Sequence, residues 1–162
     1  MLEPRIETID SRKFIGKSVE MSVAQNKTPD VWRSFMPKMH GVKSRIGNKF
    51  YAIQVYDSLG YFEVFSPNKK FTQWAAVEVH DFENQPLDMK QLKLDAGLYA
   101  VFVHKGLASE FGATLMHILS VWLPKSKYQL ADRPHFQLMG DKYKNNDPSS
   151  EEEVWVPIDL RK

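Results

Sequence analysis

The stretch Phe71-Thr72-Gln73-Trp74-Ala75-Ala76-Val77-Glu78-Val79-His80 reads as a β-strand, and the way its side chains divide decides the fold. Successive strand side chains point to opposite faces, so Ala75, Val77 and Val79 share one face while Trp74, Ala76 and Glu78 share the other. An aliphatic row of this kind belongs beneath a helix, whereas a row carrying an indole and a carboxylate leaves its face free for other work. The last strand signal, Glu153 to Leu160, repeats the division: Glu153 and Trp155 have one parity, Val154, Val156 and Ile158 the other.

Toward the N-terminus, a strand is predicted from Lys49 to Tyr56, set off from the first by the turn-rich Asp57-Ser58-Leu59-Gly60 and Ser66-Pro67-Asn68 segments. Before it, Thr28-Pro29-Asp30 is a helix start, with threonine as cap, proline at the first helical position and an acid in the first turn. Val31, Trp32, Phe35, Met36 and Met39 then fall on one side at helical spacing, and Gly41 ends the pattern. Earlier still, alternation from Arg5 to Met21 predicts a strand with a break.

Toward the C-terminus, a polar connection through Asn84, Gln85 and Pro86 leads into an apolar strand from about Gln91 to Lys105. A second helix begins near Ser109 or Gly112, carries Phe111, Leu115, Ile118, Leu119, Trp122 and Leu123 as its stripe, and is predicted to stop at Pro124. Strands from Pro134 to Met139 and from Glu153 to Leu160 close the chain around a hydrophilic segment, 141–152. The order strand-helix-strand-strand thus occurs twice. It predicts one α+β domain over residues 1–162, an antiparallel sheet built from two halves (about 1–83 and 84–162) related by a pseudo-two-fold axis, with two main helices on one face.

Composition narrows the function classes. The 162 residues are 43% apolar and 26% charged, the balance of an ordinary globular domain. The absence of cysteine removes disulfides, thiolate metal sites and thiol nucleophiles. A net charge of +2, from 22 basic and 20 acidic residues mixed along the chain, provides no single-sign field for gripping nucleic acid directly. The longest apolar run, Leu98 to Val103, falls far short of the roughly 18 residues of a membrane span. The N-terminus lacks the basic-then-apolar pattern of a secretory signal, so the expected location is the cytoplasm.

If the two tryptophan-bearing strands hold equivalent places, their indole and carboxylate rows line a groove suited to flat hydrophobic or cationic organic molecules, through stacking, cation–π attraction and charge pairing. The competing reading for each tryptophan is packing, and for Glu78 a solvated sheet face. Other motifs lead nowhere. Gly16-Lys17-Ser18 copies the end of a phosphate loop, but its upstream glycine would fall at Ser11 and no helix follows. His40, His80, His104, His117 and His135 show no metal-binding pair, so neither metal nor cofactor is implied and each reads as a surface or satisfied histidine. Ser22, Ser34 and Ser120 lack the glycine-flanked turn of a serine nucleophile. Lys38, Lys43, Lys49, Lys69 and Lys70 form no stripe with interleaved aromatics.

The run Gly97-Leu98-Tyr99-Ala100-Val101-Phe102 with Lys105-Gly106, then Trp122-Leu123-Pro124 with Ser126 and Tyr128, Asp132-Arg133-Pro134-His135-Phe136, and Glu153-Val154-Trp155-Val156-Pro157-Ile158 resembles the GyrI-like small-molecule-binding family. Trp74-Ala75-Ala76-Val77-Glu78-Val79 extends the similarity into the first half. That family includes effector-binding domains of AraC-type and multidrug-sensing transcription regulators as well as stand-alone members. The resemblance implies a ligand groove between the halves, with Glu153 and Trp155 in the places of an acid and an aromatic that touch ligand in drug-sensing members. Gln137 stands where many members carry a glutamate after the phenylalanine, here Phe136. An amide cannot neutralise a buried cation, so Glu78 or Glu153 would have to supply that charge.

The expected ligand-binding set is therefore Trp74, Glu78, Tyr99, Gln137, Met139, Glu153 and Trp155. Three functions compete: a module that binds or sequesters small organic compounds; a cofactor-independent hydrolase of electrophilic, cyclopropane-type molecules with Glu78 as acid–base; and a protein-inhibitor module of the gyrase-inhibitor kind, with a protein partner. Too few residues remain for a helix-turn-helix reader, so direct DNA binding is not expected.

Overall fold

In a computed structural model, which describes residues 3–64, 66–83, 85–144 and 147–161, the Phe71 strand lies between two others in a nine-stranded antiparallel sheet. The strands are β1 (Arg5–Ile9), β2 (Arg12–Met21), β3 (Phe50–Val55), β4 (Phe71–Val79), β5 (Lys90–Leu94), β6 (Gly97–Lys105), β7 (Tyr128–Leu130), β8 (His135–Met139) and β9 (Glu151–Leu160). Their order is β1-β6-β9-β8-β3-β4-β2-β5, with β7 pairing the end of β9. The seam between β8 and β3 is the pseudo-two-fold: reading outward, β8-β9-β6 mirrors β3-β4-β2.

The two outermost strands are exchanged between halves. β1 leads into β2 but pairs with β6, and β5 leads into β6 but pairs with β2. The sequence reading took Arg5–Met21 and Gln91–Lys105 as one strand each; the first breaks at Asp10-Ser11, and the second, expected to be continuous, breaks at Asp95-Ala96. At each break the chain leaves one half for the other. This exchange dictates the sheet's shape. In a flat sheet of this order β1 and β2 would lie six strand spacings apart, on the order of 29 Å, whereas the three steps from Ile9 to Arg12 span at most about 11 Å. The sheet must curl until its outer strands approach one another.

Helix α1 (Thr28–Phe35) runs on through a 3₁₀ segment, Met36–Gly41, ending at the expected glycine. Its Val31 and Phe35 are buried against Ile15, Ala75, Val77, Val79 and Met89, each side chain contributing about 1.5–3 kcal/mol by leaving water. Thr28 is not the cap. Its hydroxyl donates to the Met21 sulfur at 3.5 Å, and its backbone N–H is taken by Asn26 Oδ1 at 3.0 Å, so an asparagine turn opens the helix instead.

The second helix does not stop at Pro124. Helix α2 (Phe111–His117) widens into a π segment, Ile118–Trp122, and a further turn, α3 (Leu123–Lys125), follows. Pro124 lies just past the π segment, inside an unbroken helical run, where the widened turn accommodates a residue without an N–H. Ile118 and Leu123 pack on Ala100, Phe102, Val154, Val156 and Ile158. Both helical layers cover one sheet face, on the aliphatic rows that strand parity assigns to them. Among the described residues, no helix is long and apolar enough to cross a membrane.

Candidate functional site

Strand parity holds on the face away from the helices, where Trp74, Tyr99 and Trp155 are all found, but that face is not open. The curl of the sheet wraps it around a core formed by Ile9, Phe14, Tyr51, Ile53, Trp74, Leu94, Tyr99, Phe136 and Trp155, among others. Trp155 stacks on Phe136, centroids 5.0 Å apart and planes at 17°, and tilts against Tyr99 at 5.9 Å. The Tyr99 hydroxyl is satisfied by the Pro134 carbonyl at 2.9 Å. Burial pushes its phenol up to about 12.

The acids sit at the edge of this core, already engaged. Glu153 accepts from the Trp155 indole N–H at 3.1 Å and from Arg5 at 2.9 Å. The Arg5 and Arg12 guanidiniums both lie over the Trp155 ring, at 5.7 and 5.6 Å from its centre. Glu78 accepts from the Tyr51 hydroxyl at 3.3 Å. Burial, and secondarily the Glu78 charge, pushes the Tyr51 phenol up to about 12. The indoles, Tyr99 and the two acids of the expected ligand set therefore share one face, and their own side chains fill it.

Gln137 and Met139 do not join them. On β8, Phe136 and Leu138 point into the curled core, so the alternate residues point to the helix side. There Gln137 belongs to a buried row of amides crossing three strands. Gln54 Nε2 donates to Gln137 Oε1 at 2.9 Å and to Gln73 Oε1 at 3.2 Å, Gln137 Nε2 returns a bond to Gln54 Oε1 at 3.1 Å, and Gln73 Nε2 donates to the Trp74 carbonyl at 3.1 Å. Direct pairing of Gln54 with Gln73 on one side and with His135 on the other sets this row across the seam between the halves.

His135 extends the row. Burial holds its imidazole far below the usual histidine range, at about 3, so the ring is uncharged. Phe62, from the 3₁₀ turn Leu59–Phe62 that follows β3, stacks on it with centroids 5.2 Å apart and planes at 25°. Tyr56 meets His135 edge-on at 5.1 Å and gathers Tyr61, Phe62 and Phe71 around itself at 4.5, 4.7 and 5.2 Å. Its phenol is raised by burial and stays protonated.

Phe62 also lines a wide, largely open cavity of about 510 Å³, together with Leu59, Glu63, Leu123, Pro124, Gln129, Leu130 and Arg161. Its walls come from both halves: the turn after β3 on one side, the end of the second helix, β7 and the segment after β9 on the other. The sequence reading named none of these as ligand residues. It took His135 as a surface or satisfied histidine and the 57–60 segment as a turn. The one available signal was the pair Gln54 and Gln73, polar positions within largely apolar strands. Among the described residues, no cluster of three or more metal-ligating side chains occurs.

The description that fits this architecture is GyrI-like small molecule binding domain, whose family model matches residues 2–159. The chain belongs to that family. The GyrI-like fold is shared with the structure of SAV2435 bound to tetraphenylphosphonium (TM-score 0.71, 15% identity, 97% of this chain and 94% of that one). It is shared also with the EcmrR C-terminal domain (0.68, 14%, 99% and 99%) and with a hydrolase encoded by lin2189 from Listeria innocua (0.57, 12%, 97% and 92%). No curated protein matches the chain.

Proposed function

We propose that this GyrI-like domain takes its small molecule on the helix side of the seam, in the cavity beside Phe62, and not within the curled aromatic face. The observation that carries this reading is the position of Phe62, one ring that both lines a cavity of about 510 Å³ and roofs the buried His135 of the amide row. A volume of that size fits a compact organic molecule. Leu59, Phe62, Leu123, Pro124 and Leu130 offer it an apolar surface, and Gln129 a polar one. The opposite face has its volume occupied by stacked rings, and a guest there would have to displace the core. That SAV2435, with the same fold, holds tetraphenylphosphonium supports an aromatic-rich guest.

The expected hydrolase chemistry rests on Glu78, and neither Glu78 nor its partner Tyr51 lines the cavity. Binding without turnover is the reading the geometry supports. Calorimetric titration with 2-naphthylmethanol, an uncharged aromatic probe, tests it. Leu130→Asp, which sets a charge on the cavity wall, is expected to weaken binding at least tenfold; because Leu130 also packs on the core under the second helix, the melting temperature should fall, and the titration is run well below it on protein that circular dichroism shows to be folded. Unaltered affinity in that variant would remove the cavity from consideration.

A further inference from the structure

The cavity wall carries one charge of each sign, Glu63 and Arg161, and the two are held differently. The layer beneath Phe62, three amides, an uncharged imidazole and a protonated phenol among the described residues, does not line the cavity.

The wall of the cavity carries a cation that is held in place. Arg161 Nε donates to the Tyr128 carbonyl at 2.7 Å, and its Nη2 donates to the Leu123 carbonyl at 3.0 Å, at the start of α3. These two bonds fix the guanidinium; among the described residues Nη1 makes no hydrogen bond and none of the ion pairs includes Arg161. A guanidinium already oriented loses little freedom when it meets an anion. Glu63, the other charged lining residue, comes from the first half and is exposed. Its carboxylate receives no hydrogen bond among the described residues, so it is not preorganised for a cation.

We infer that the cavity selects an amphipathic organic anion, with an apolar ring body against Phe62, Leu123 and Leu130 and a carboxylate or sulfonate at Arg161 Nη1. This rests on the assignment of the cavity made above, and it names the chemical class of that guest. Glu63 opposes the anion from the other wall and sets a limit on its affinity. The site is largely open to water, so the charge preference is about 1.5- to fivefold, the range of an exposed pair.

The test titrates three probes of one ring size, 2-naphthoate, 2-naphthylmethanol and 2-naphthylmethylammonium, into the full chain at pH 7.5 and low salt. Naphthoate is expected to bind about 1.5- to fivefold more tightly than the alcohol, and the ammonium most weakly. Arg161→Gln should erase the naphthoate advantage, read as the ratio of the naphthoate affinity to the alcohol affinity in the same variant. Arg161→Lys should retain part of the advantage, and Glu63→Gln should enlarge it by about two- to threefold. Tighter binding of the ammonium, or an equal loss of all three probes in Arg161→Gln, would overturn the anion preference while leaving the cavity in place. If all three probes bind and Leu130→Asp weakens none of them, or if none binds at all, the cavity assignment itself fails, and the anion preference with it.

Discussion

The ring of Phe62 lies nearly flat on that of His135, centroids 5.2 Å apart and planes at 25°, so a side chain from a turn in the first half seals a buried imidazole of the second. The contact spans the seam between the halves at the point where the cavity opens, linking the domain's assembly to its candidate site.

The imidazole makes stability depend on pH. In the unfolded chain histidine titrates near 6.5, whereas folding holds His135 at about 3, so below the unfolded value the unfolded state binds the extra proton. This contribution is intact above about pH 6.5 and is lost as pH falls toward 3, at up to about 1.4 kcal/mol per pH unit. Urea unfolding at pH 7.0 and 5.0 should show a drop that shrinks by as much as about 2 kcal/mol in His135→Gln. An equal drop in both proteins would mean that the ring is not shielded.

The amide row makes a second pH signature available by substitution. Gln137→Glu replaces the Nε2 donor to Gln54 with an acceptor and sets an ionisable group under the aromatic roof. Burial would raise its folded pKa above the unfolded value, so the variant should be destabilised by about 1–3 kcal/mol at pH 7 and less so at pH 5. Chemical denaturation at the two pH values reads this directly, and a pH-independent loss would contradict the burial of the row.

Gly16 tests the closeness of β2 and β4. A Cβ there would lie 2.1 Å from the Ala75 carbonyl oxygen and 2.8 Å from Ala76 Cα, both backbone atoms that cannot step aside. Gly16→Ala should therefore cost about 1–3 kcal/mol or more in thermal unfolding, although alanine has the better intrinsic strand preference. A neutral substitution would mean that the strands sit farther apart.

The tryptophans separate packing from binding. Trp155 is 4% exposed and stacked on Phe136, so Trp155→Ala should cost about 3–5 kcal/mol. Trp155→Phe retains a ring in the core and should preserve affinity for 2-naphthylmethanol within about twofold. A large loss of affinity in that conservative variant would return the guest to the curled face.

Parity carried most of what the sequence could say. Trp74 and Ala75 fall on opposite faces because strand geometry is local, and the helix stripe of Val31 and Phe35 follows from spacing alone. The exchange at Asp10-Ser11 and Asp95-Ala96 was not legible, because it depends on which distant strand each arm finds. Without it the curl is hidden, and with the curl hidden the Trp155 face reads as open. Nothing in the sequence marks Gln54 and Gln73 as buried, because their burial is set by neighbours more than sixty residues away on β8. Phe62 sits in a turn, where no period marks a residue as important. Gln137 drew attention through family resemblance, and its amide partners became visible only once the strands were paired.

Methyl-resolved NMR during titration with 2-naphthylmethanol tests the central claim most directly. The account predicts that the methyl signals of Leu59, Leu123 and Leu130 shift, while those of Val101 and Leu138 in the curled core stay fixed. Shifts confined to Val101 and Leu138, with the three leucines of the cavity silent, would contradict it.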